Sequence, residues 1–363
     1  MTSLSKIVYI LIFVLASITA YTATKTDKAS CTIRFATQYL FAVVYILRTR
    51  VGTDWSVYAD YYNKLNDPFI VEQYGFEKGY YLLNKIFELY HANFQLIIVV
   101  LSVFFYACFL KGTQKLKINP DITFLLALLY LFYPSLEALR QSVGIFIFYY
   151  SLQYINQDQF RIRKGGVIFK SLNYYKGKVQ YIMVNVIGIL FHRVSITTFV
   201  YYFYQSNRLI KIIIVGGCVL FDVFRSHIEQ LLRLFPGLFQ RYSIYVTDHE
   251  IAPVFSLKLI EYIIIFFILI SFRDKNKNER ISLDLIEIGI LIQVFISKYI
   301  SATYRILYFC DIGIILFYST LYERIKKKRA KVFYITFVII YVGVRFYRAF
   351  PFNNEAFSYH FIF

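Results

Sequence analysis

The chain has 363 residues, of which 58% are hydrophobic and 17% charged, with a mean hydropathy of +0.52, too apolar for an ordinary soluble domain of this length. The formal charge of +18 is concentrated in short segments such as "RIRKGG" (161–166), "RDKNKNER" (273–280) and "RIKKKRAK" (324–331). Basic loops beside apolar runs follow the positive-inside rule and excess lysine and arginine near anionic headgroups, and no nucleic-acid-binding motif accompanies them.

The N-terminal "SKIVYILIFVLASITAYTA" resembles a signal peptide. Because many apolar runs follow it, an uncleaved first transmembrane helix is the expectation. The runs fall near 7–22, 35–48, 94–110, 122–133, 143–155, 179–191, 194–205, 209–224, 256–272, 281–300, 304–322 and 332–347. The expected fold is an all-α polytopic integral membrane protein of about twelve helices, and no fewer than about ten. It forms one integral membrane domain over 1–363. The pair 179–191 and 194–205 admits one tilted helix, two short helices or a re-entrant hairpin.

Basic loops set the orientation. With 156–178, 273–280 and 324–331 in the cytoplasm, 299–304 and 225–255 face outward, and "FHRVS" (191–195) becomes an outer turn. Counting backward puts 111–121 inside and a large loop, 49–93, outside, with both chain termini outside. Most mixed-charge, aromatic-rich segments then share one face, and most plainly basic segments the other. No internal repeat is evident.

The four cysteines (Cys31, Cys108, Cys218, Cys310) are far apart, three of them in apolar runs, and show no CxxC or Cys/His spacing. Neither a disulfide framework nor a zinc site is indicated.

The 49–93 loop opens with "RTRVGTDWSVYADYY" (48–62). Gly52–Thr53–Asp54 reads as a turn and helix start with Asp54 at the cap, and Trp55, Tyr58 and Tyr62 follow at helical spacing. The second part is "YGFEKGYYLLNKIFELYH" (74–91). Leu83, Ile86, Phe87 and Tyr90 lie at i, i+3, i+4 and i+7, giving an amphipathic helix fit for a membrane surface. Glu77 precedes the stripe, where a carboxylate favours a helix N-terminus. Capping and catalysis are its two readings.

Within the apolar runs, Tyr304, Tyr308 and Asp311 share a helical face. A charge such as Asp311 at membrane depth costs roughly 2.5–3.5 kcal/mol on insertion scales, so a partner such as an arginine, or a polar cavity, is expected. Glu261 and Glu287 lie nearer span ends. "RYSIYV" (241–246) and "RFYRAFPF" (345–352) add aromatic and basic surface.

Arg50-x-Gly52-Thr53-Asp54-x3-Tyr58, followed by Glu77-x-Gly79-Tyr80-x-Leu82-Leu83-Asn84, resembles the EpsG/Wzy family of polytopic polysaccharide polymerases. "LRQS" (139–142), "FHRVS" (191–195) and "YRILYF" (304–309) resemble further family elements in the same order. Two departures stand out: Trp55 replaces the usual tyrosine after the aspartate, and Val194–Ser195–Ile196 replaces a small-residue run after the histidine. The resemblance spans most of the chain.

What it implies is polymerisation of undecaprenyl-pyrophosphate-linked oligosaccharide repeat units into O-antigen, capsule or exopolysaccharide, at the outer (periplasmic) face of a bacterial inner membrane. The expected partners are that lipid-linked oligosaccharide, the bilayer, and a chain-length regulator and flippase of the same pathway. Nucleic acid, a cofactor and a metal are not expected. The chemistry needs cations on the pyrophosphate, for which Arg50, Arg140, Arg193, Arg241 and Arg305 are the candidates, since arginine forks match phosphate oxygens. It needs a base for the acceptor hydroxyl, for which Asp54, Glu77 and His192 compete. It needs aromatic surfaces for sugar rings, for which Trp55, Tyr58, Tyr80 and Tyr304 stand. The outer loops contain no paired-carboxylate metal motif, so the expected transfer is metal-independent.

Two other classes fit a polytopic chain. A lipid-linked oligosaccharide flippase predicts charge along the membrane interior and no rich outer loop. A membrane O-acyltransferase predicts a deep histidine facing the cytoplasm, whereas His192 is expected on the opposite side.

Overall fold

The computed structural model describes residues 3–25, 27–155, 162–164, 167–169, 172–206, 208–224, 256–297, 303–349 and 360–361. Among them helix dominates. Five helices are long and apolar enough to cross a membrane: Ser5–Thr22, Lys28–Ile46, Phe94–Leu116, Thr303–Arg324 and Lys328–Arg348. The second loop, 225–255, lies outside the described residues, as does Arg241.

The chain forms two compact units, Met1–Ser195 with Tyr318–Phe363, and Ile196–Phe317. The first unit opens with α1 (Ser3–Thr22) and α2 (Lys28–Ile46), which pack on each other. Asp27 caps α2 by accepting the Ser30 amide at 2.9 Å. A short strand, β1 (Arg48–Thr49), leads to three helices between the long spans: α3 (Trp55–Asn63), α4 (Pro68–Tyr74) and α5 (Lys78–Leu89). The apolar α6 (Phe94–Leu116) follows, started by Asn93, whose side chain accepts the Leu96 amide.

Next comes an interrupted helix. It runs through α7 (Pro120–Ala127), a π-helical turn (Leu128–Phe132) and α8 (Tyr133–Glu137), breaks at Ala138 (φ −115°, ψ 71°), and resumes as α9 (Leu139–Ser151). π turns inside helices recur at functional sites, and this one precedes "LRQS". After a 3₁₀ turn (Leu152–Tyr154), β2 (Ile162–Lys164) pairs antiparallel with β3 (Val167–Phe169). α10 (Leu172–Phe191) then packs along α9. Gly188 lets the two approach closely, since a β-carbon there would meet the Gly144 α-carbon at 3.1 Å. Phe41, Phe109, Phe124, Phe132 and Phe146 fill the core with edge-on and tilted rings.

"FHRVS" is a tight 3₁₀ turn, Arg193–Ile196, between α10 and α11 (Thr197–Ser206). Residues 179–205 are therefore two helices joined by a turn. The second unit contains α11, α12 (Arg208–Val223), α13 (Leu257–Ser271), α14 (Lys277–Phe295) and α15 (Thr303–Cys310). α14 starts with a reciprocal cap in which Asn276 accepts the Glu279 amide and Glu279 accepts that of Asn276. Asp311 is buried, and its partners are Lys258 at 2.7 Å and the Tyr262 hydroxyl at 2.6 Å; lysine takes the place the sequence left open for an arginine. Lys211 pairs with Asp284 and, at 3.1 Å, with Glu287, which also accepts from Tyr204.

α16 (Ile312–Arg324) and α17 (Lys328–Ala349) complete the helices, and β4 (His360–Phe361) pairs antiparallel with β1. The four cysteines are free thiols. Large apolar side chains such as Phe35, Met183, Phe267 and Phe333 are exposed on the helix surfaces, as lipid contact requires.

Candidate functional site

The first unit gathers segments that are far apart in sequence. Gly52 has φ 106°, and a β-carbon there would lie 1.6 Å from the Leu136 carbonyl oxygen. Only glycine allows the loop to rest its backbone on α8 at this point. Gly79 does the same against α10, where a β-carbon would meet the Leu190 carbonyl oxygen at 2.6 Å. Each half of the loop pattern is thus clamped by a glycine to a different helix.

Between the clamps lies an aromatic cluster. Tyr58 approaches Phe76 (5.9 Å between ring centres) and Tyr80 (5.7 Å), and Tyr61 packs on Phe76 at 4.6 Å. Tyr58, Tyr61 and Tyr80 are buried, so Tyr58 and Tyr80 form a wall of the site and expose little ring surface to a sugar. Burial pushes the Tyr61 phenol up to about 12.

Arg140 enters this cluster from the second residue of α9. Its guanidinium lies 3.8 Å from the Phe76 ring centre, 5.7 Å from that of Tyr58 and 5.8 Å from that of Tyr80. It forms an ion pair with Oε2 of Glu77. The other Glu77 oxygen, Oε1, accepts the backbone N–H of Arg193 at 3.1 Å. Glu77 stands at the N-cap of α5 without making a side-chain cap bond. Its carboxylate reaches outward because a charged donor and a free amide lie there, and this replaces the capping reading. The pair ties "FEKGY", "LRQS" and "FHRVS" together.

Asp54 occupies the N-cap position of α3, but its backbone is already helical (φ −89°, ψ −2°) and its carboxylate caps nothing. Its one side-chain partner among the described residues is the Tyr58 hydroxyl, at 3.5 Å. The His192 ring is buried, and its Nδ1 accepts the Val194 amide at 3.3 Å. The Arg193 side chain is exposed, while its amide does the bonding.

A narrow recess lies beside this centre, lined in part by Arg48, Arg50, Trp55, Tyr58, Ser135 and Leu139. Arg50 adopts a left-handed backbone (φ 52°) and places its guanidinium 6.0 Å from the Trp55 ring centre. Trp55 packs on Phe94 at 5.8 Å, and its Nε1 is buried without a hydrogen-bond acceptor among the described residues.

Tyr304 and Arg305 belong to the second unit. There Arg305 Nε donates to the Tyr304 hydroxyl at 3.2 Å, and Tyr304 is 47% exposed. Sequence reasoning passed over Phe76, the platform under Arg140, although it lies next to Glu77. It also passed over Arg48, two residues from Arg50 and buried.

The predicted amphipathic stripe on α5 divides in the structure. Of its residues Ile86 and Tyr90 are exposed and Leu83 and Phe87 half-buried, whereas Tyr80 and Asn84, outside the stripe, face inward. The Tyr80 face turns inward because its ring joins the cluster of Tyr58, Tyr61 and Phe76.

Neither the curated proteins nor the solved structures contain a match to this chain. The family model described as the EpsG family matches residues 31–164 and 166–361, which include every segment drawn together at Arg140. The chain belongs to the EpsG family.

Proposed function

We propose that this protein polymerises lipid-linked oligosaccharide repeat units into a surface polysaccharide by glycosyl transfer outside the cytoplasmic membrane. Membership of the EpsG family points to a polymerase role in surface glycan synthesis. The single observation that supports a catalytic centre in the first unit is the meeting of four distant segments, 48–62, 76–84, 139–142 and 191–195, around the Arg140–Glu77 pair. In this reading the chain crosses the membrane about twelve times as one integral domain, with both ends and the loops 49–93 and 225–255 on the periplasmic side.

The acceptor hydroxyl oxygen attacks the anomeric carbon of the donor glycan. The bond from that carbon to the undecaprenyl pyrophosphate breaks, and the pyrophosphate leaves with the bonding electrons. The hydroxyl proton passes to a base. Asp54 takes that role, because its carboxylate is half-buried and has only a long bond from Tyr58, whereas both Glu77 oxygens and His192 Nδ1 are already engaged. Glu77 is then a positioning residue for Arg140 and for the 191–195 turn. Arg50 and Arg140 offset charge on the leaving group, and Trp55 offers a sugar-facing edge. Arg193, Arg241, Arg305 and Tyr304 stand as further contacts to substrate. The chain's own cations carry the electrostatics, so activity should survive chelators.

A flippase reading draws on the buried Asp284 and Asp311 and the half-buried Lys211, Glu287 and Lys258. Each of them has an ion-pair partner within the second unit, which a structural role explains. Deleting the gene and resolving surface glycan on a gel separates the readings. Single repeat units on the anchor support a polymerase. Complete loss of surface glycan, or an unshortened ladder, overturns it.

A further inference from the structure

The stretch 48–54 presents Arg50 and Asp54, and its backbone is irregular between them. Arg50 is left-handed at φ 52°, and Gly52 has φ 106°. A non-glycine residue in the left-handed region is sterically strained and persists only where its surroundings hold it there. On the side of Asp54 the hold is the Gly52 backbone resting on the Leu136 carbonyl. On the other side it falls to Arg48 and Thr49, which directly precede the strained residue. There the Arg48 carbonyl accepts Nε2 of Gln95 at 2.7 Å. The second contact comes from the far end of the sequence. β4 pairs antiparallel with β1, setting Phe361 opposite Arg48 and His360 opposite Thr49, and both strands belong to the first unit. Each strand has two residues, too few to keep an extended shape alone, so each depends on the other.

We infer that β4 is a positioning strap for the candidate site. By pairing with β1 it fixes the backbone at Arg48 and Thr49, and so sets the left-handed turn that presents Arg50 and Asp54. Its effect on polymerisation rests on the proposed function, whereas the pairing and its hold on the loop do not. The strap adds a strand to β1 through main-chain bonds, so its side chains can be exchanged and its backbone donors cannot. In a ladder of two rungs, one residue pair exchanges both hydrogen bonds and the other exchanges none. H360P/F361P removes a donor whichever pair is bonded, and H360V/F361V keeps the strand.

Trp55 is the chain's one tryptophan, and the Arg50 guanidinium lies 6.0 Å from its ring centre, so its emission reports on this loop. The full-length protein and both double variants are compared in phosphatidylcholine nanodiscs by acrylamide quenching, unfolding temperature and, in cells, surface glycan length. H360P/F361P is expected to raise the quenching constant about twofold through local loosening, at an unchanged unfolding temperature, and to shorten the glycan towards single repeat units. H360V/F361V should match the parent in all three readouts. With the four native cysteines replaced by alanine, Thr49→Cys and His360→Cys together should form a disulfide on mild oxidation and keep long chains, since directly opposed strand residues lie within disulfide reach. Unchanged quenching in H360P/F361P, long chains in that variant, or equal damage in H360V/F361V overturns the inference. So does failure of the cysteine pair to link, or loss of polymer once it has linked. A fall in unfolding temperature that accounts for the lost polymer marks a merely structural strand and overturns it as well. Unchanged quenching combined with single-repeat glycan in the deletion strain removes the strap and leaves the function. A loosened Trp55 and a linked cysteine pair, combined with normal polymer in the deletion strain, do the reverse.

Discussion

The guanidinium of Arg140 lies 3.8 Å from the centre of the Phe76 ring and pairs with the carboxylate of Glu77, the next residue along the chain. One cation is thus held by an aromatic face and an anion that a single turn of chain presents together. Both charged side chains are mostly buried, at 14% and 13% exposure, so removing one partner leaves the other without compensation. Glu77→Gln and Arg140→Ala are each expected to destabilise the protein by about 3 kcal/mol. Thermal unfolding in nanodiscs checks this, and Glu77→Gln combined with Arg140→Ala should lose less than the sum of the two single changes.

The glycine clamps make a sharper prediction because a control exists in the same chain. Gly52→Ala combines an unfavourable left-handed backbone with a contact of 1.6 Å to Leu136, and is expected to cost on the order of 3 kcal/mol or more. Gly79→Ala meets the Leu190 carbonyl at 2.6 Å and should also destabilise. Gly216→Ala and Gly217→Ala in α12 meet nothing within 4 Å and should be neutral or stabilising by up to about 1 kcal/mol. Unfolding midpoints of the four variants test the ordering.

Much of the helical architecture can be read from hydrophobic period and breakers, and particular residues show where that reading ends. The turn at 191–195 was visible as a polar break, and it resolves 179–205 into two helices. α4 carries the ordinary signals of a helix start, with Asp67 capping and Pro68 in the first turn, yet it is too short to show an apolar period. Glu77 is the instructive case. Position predicted a cap, because local rules see only neighbours, whereas the actual partner lies 63 residues away. Arg48 was opaque for the opposite reason: sequence cannot say which of two arginines in "RTR" turns inward. The order of motifs suggested one assembly, and for Tyr304 and Arg305 order alone could not say which unit of the chain they join.

Within the 49–93 segment, Asp60 links α3 to α4. It bonds Lys64 and, at 2.8 Å, the Tyr74 hydroxyl. The Lys64 hydrogen bond first, and then that of Tyr74, hold the Asp60 carboxyl below its ordinary value of 3.8. A depressed carboxylate contributes stability above its unfolded value, and loses it as pH falls through the lower folded value. The α3–α4 link should therefore hold at neutral pH and loosen only below about pH 4. Amide exchange at 68–75 measured against pH checks this, and Asp60→Asn should remove the acid dependence. Because Asp60 is solvated, the rest of the protein should be little affected.

In the second unit Asp311 depends on Lys258. The aspartate side chain is 3% exposed and the lysine 21%, so Lys258→Met leaves a buried anion with only the Tyr262 hydroxyl. A loss of about 3–5 kcal/mol is expected. Lys258→Met with Asp311→Asn should recover most of it, since an amide needs no counter-charge. Recovery of folded yield and unfolding temperature in the double variant checks this, and equal damage in single and double variants would contradict it.

The assignment of the base makes the last prediction. Asp54 has one long bond, from Tyr58 at 3.5 Å, and is not a helix cap in the structure. Asp54→Asn should therefore change stability by no more than about 0.5 kcal/mol, as expected for a side chain outside the core network. Removing a general base should lower the polymerisation rate by about 10²–10⁴-fold. The expected phenotype is a correctly folded, membrane-resident protein that leaves single repeat units on the anchor. Glu77→Gln should differ in kind, losing stability together with activity, because its carboxylate positions Arg140 and the Arg193 amide. Chain length on gels, read beside membrane abundance and unfolding temperature, separates the two. If Asp54→Asn keeps long chains while Glu77→Gln loses them without losing stability, the base is Glu77 and Asp54 is not catalytic.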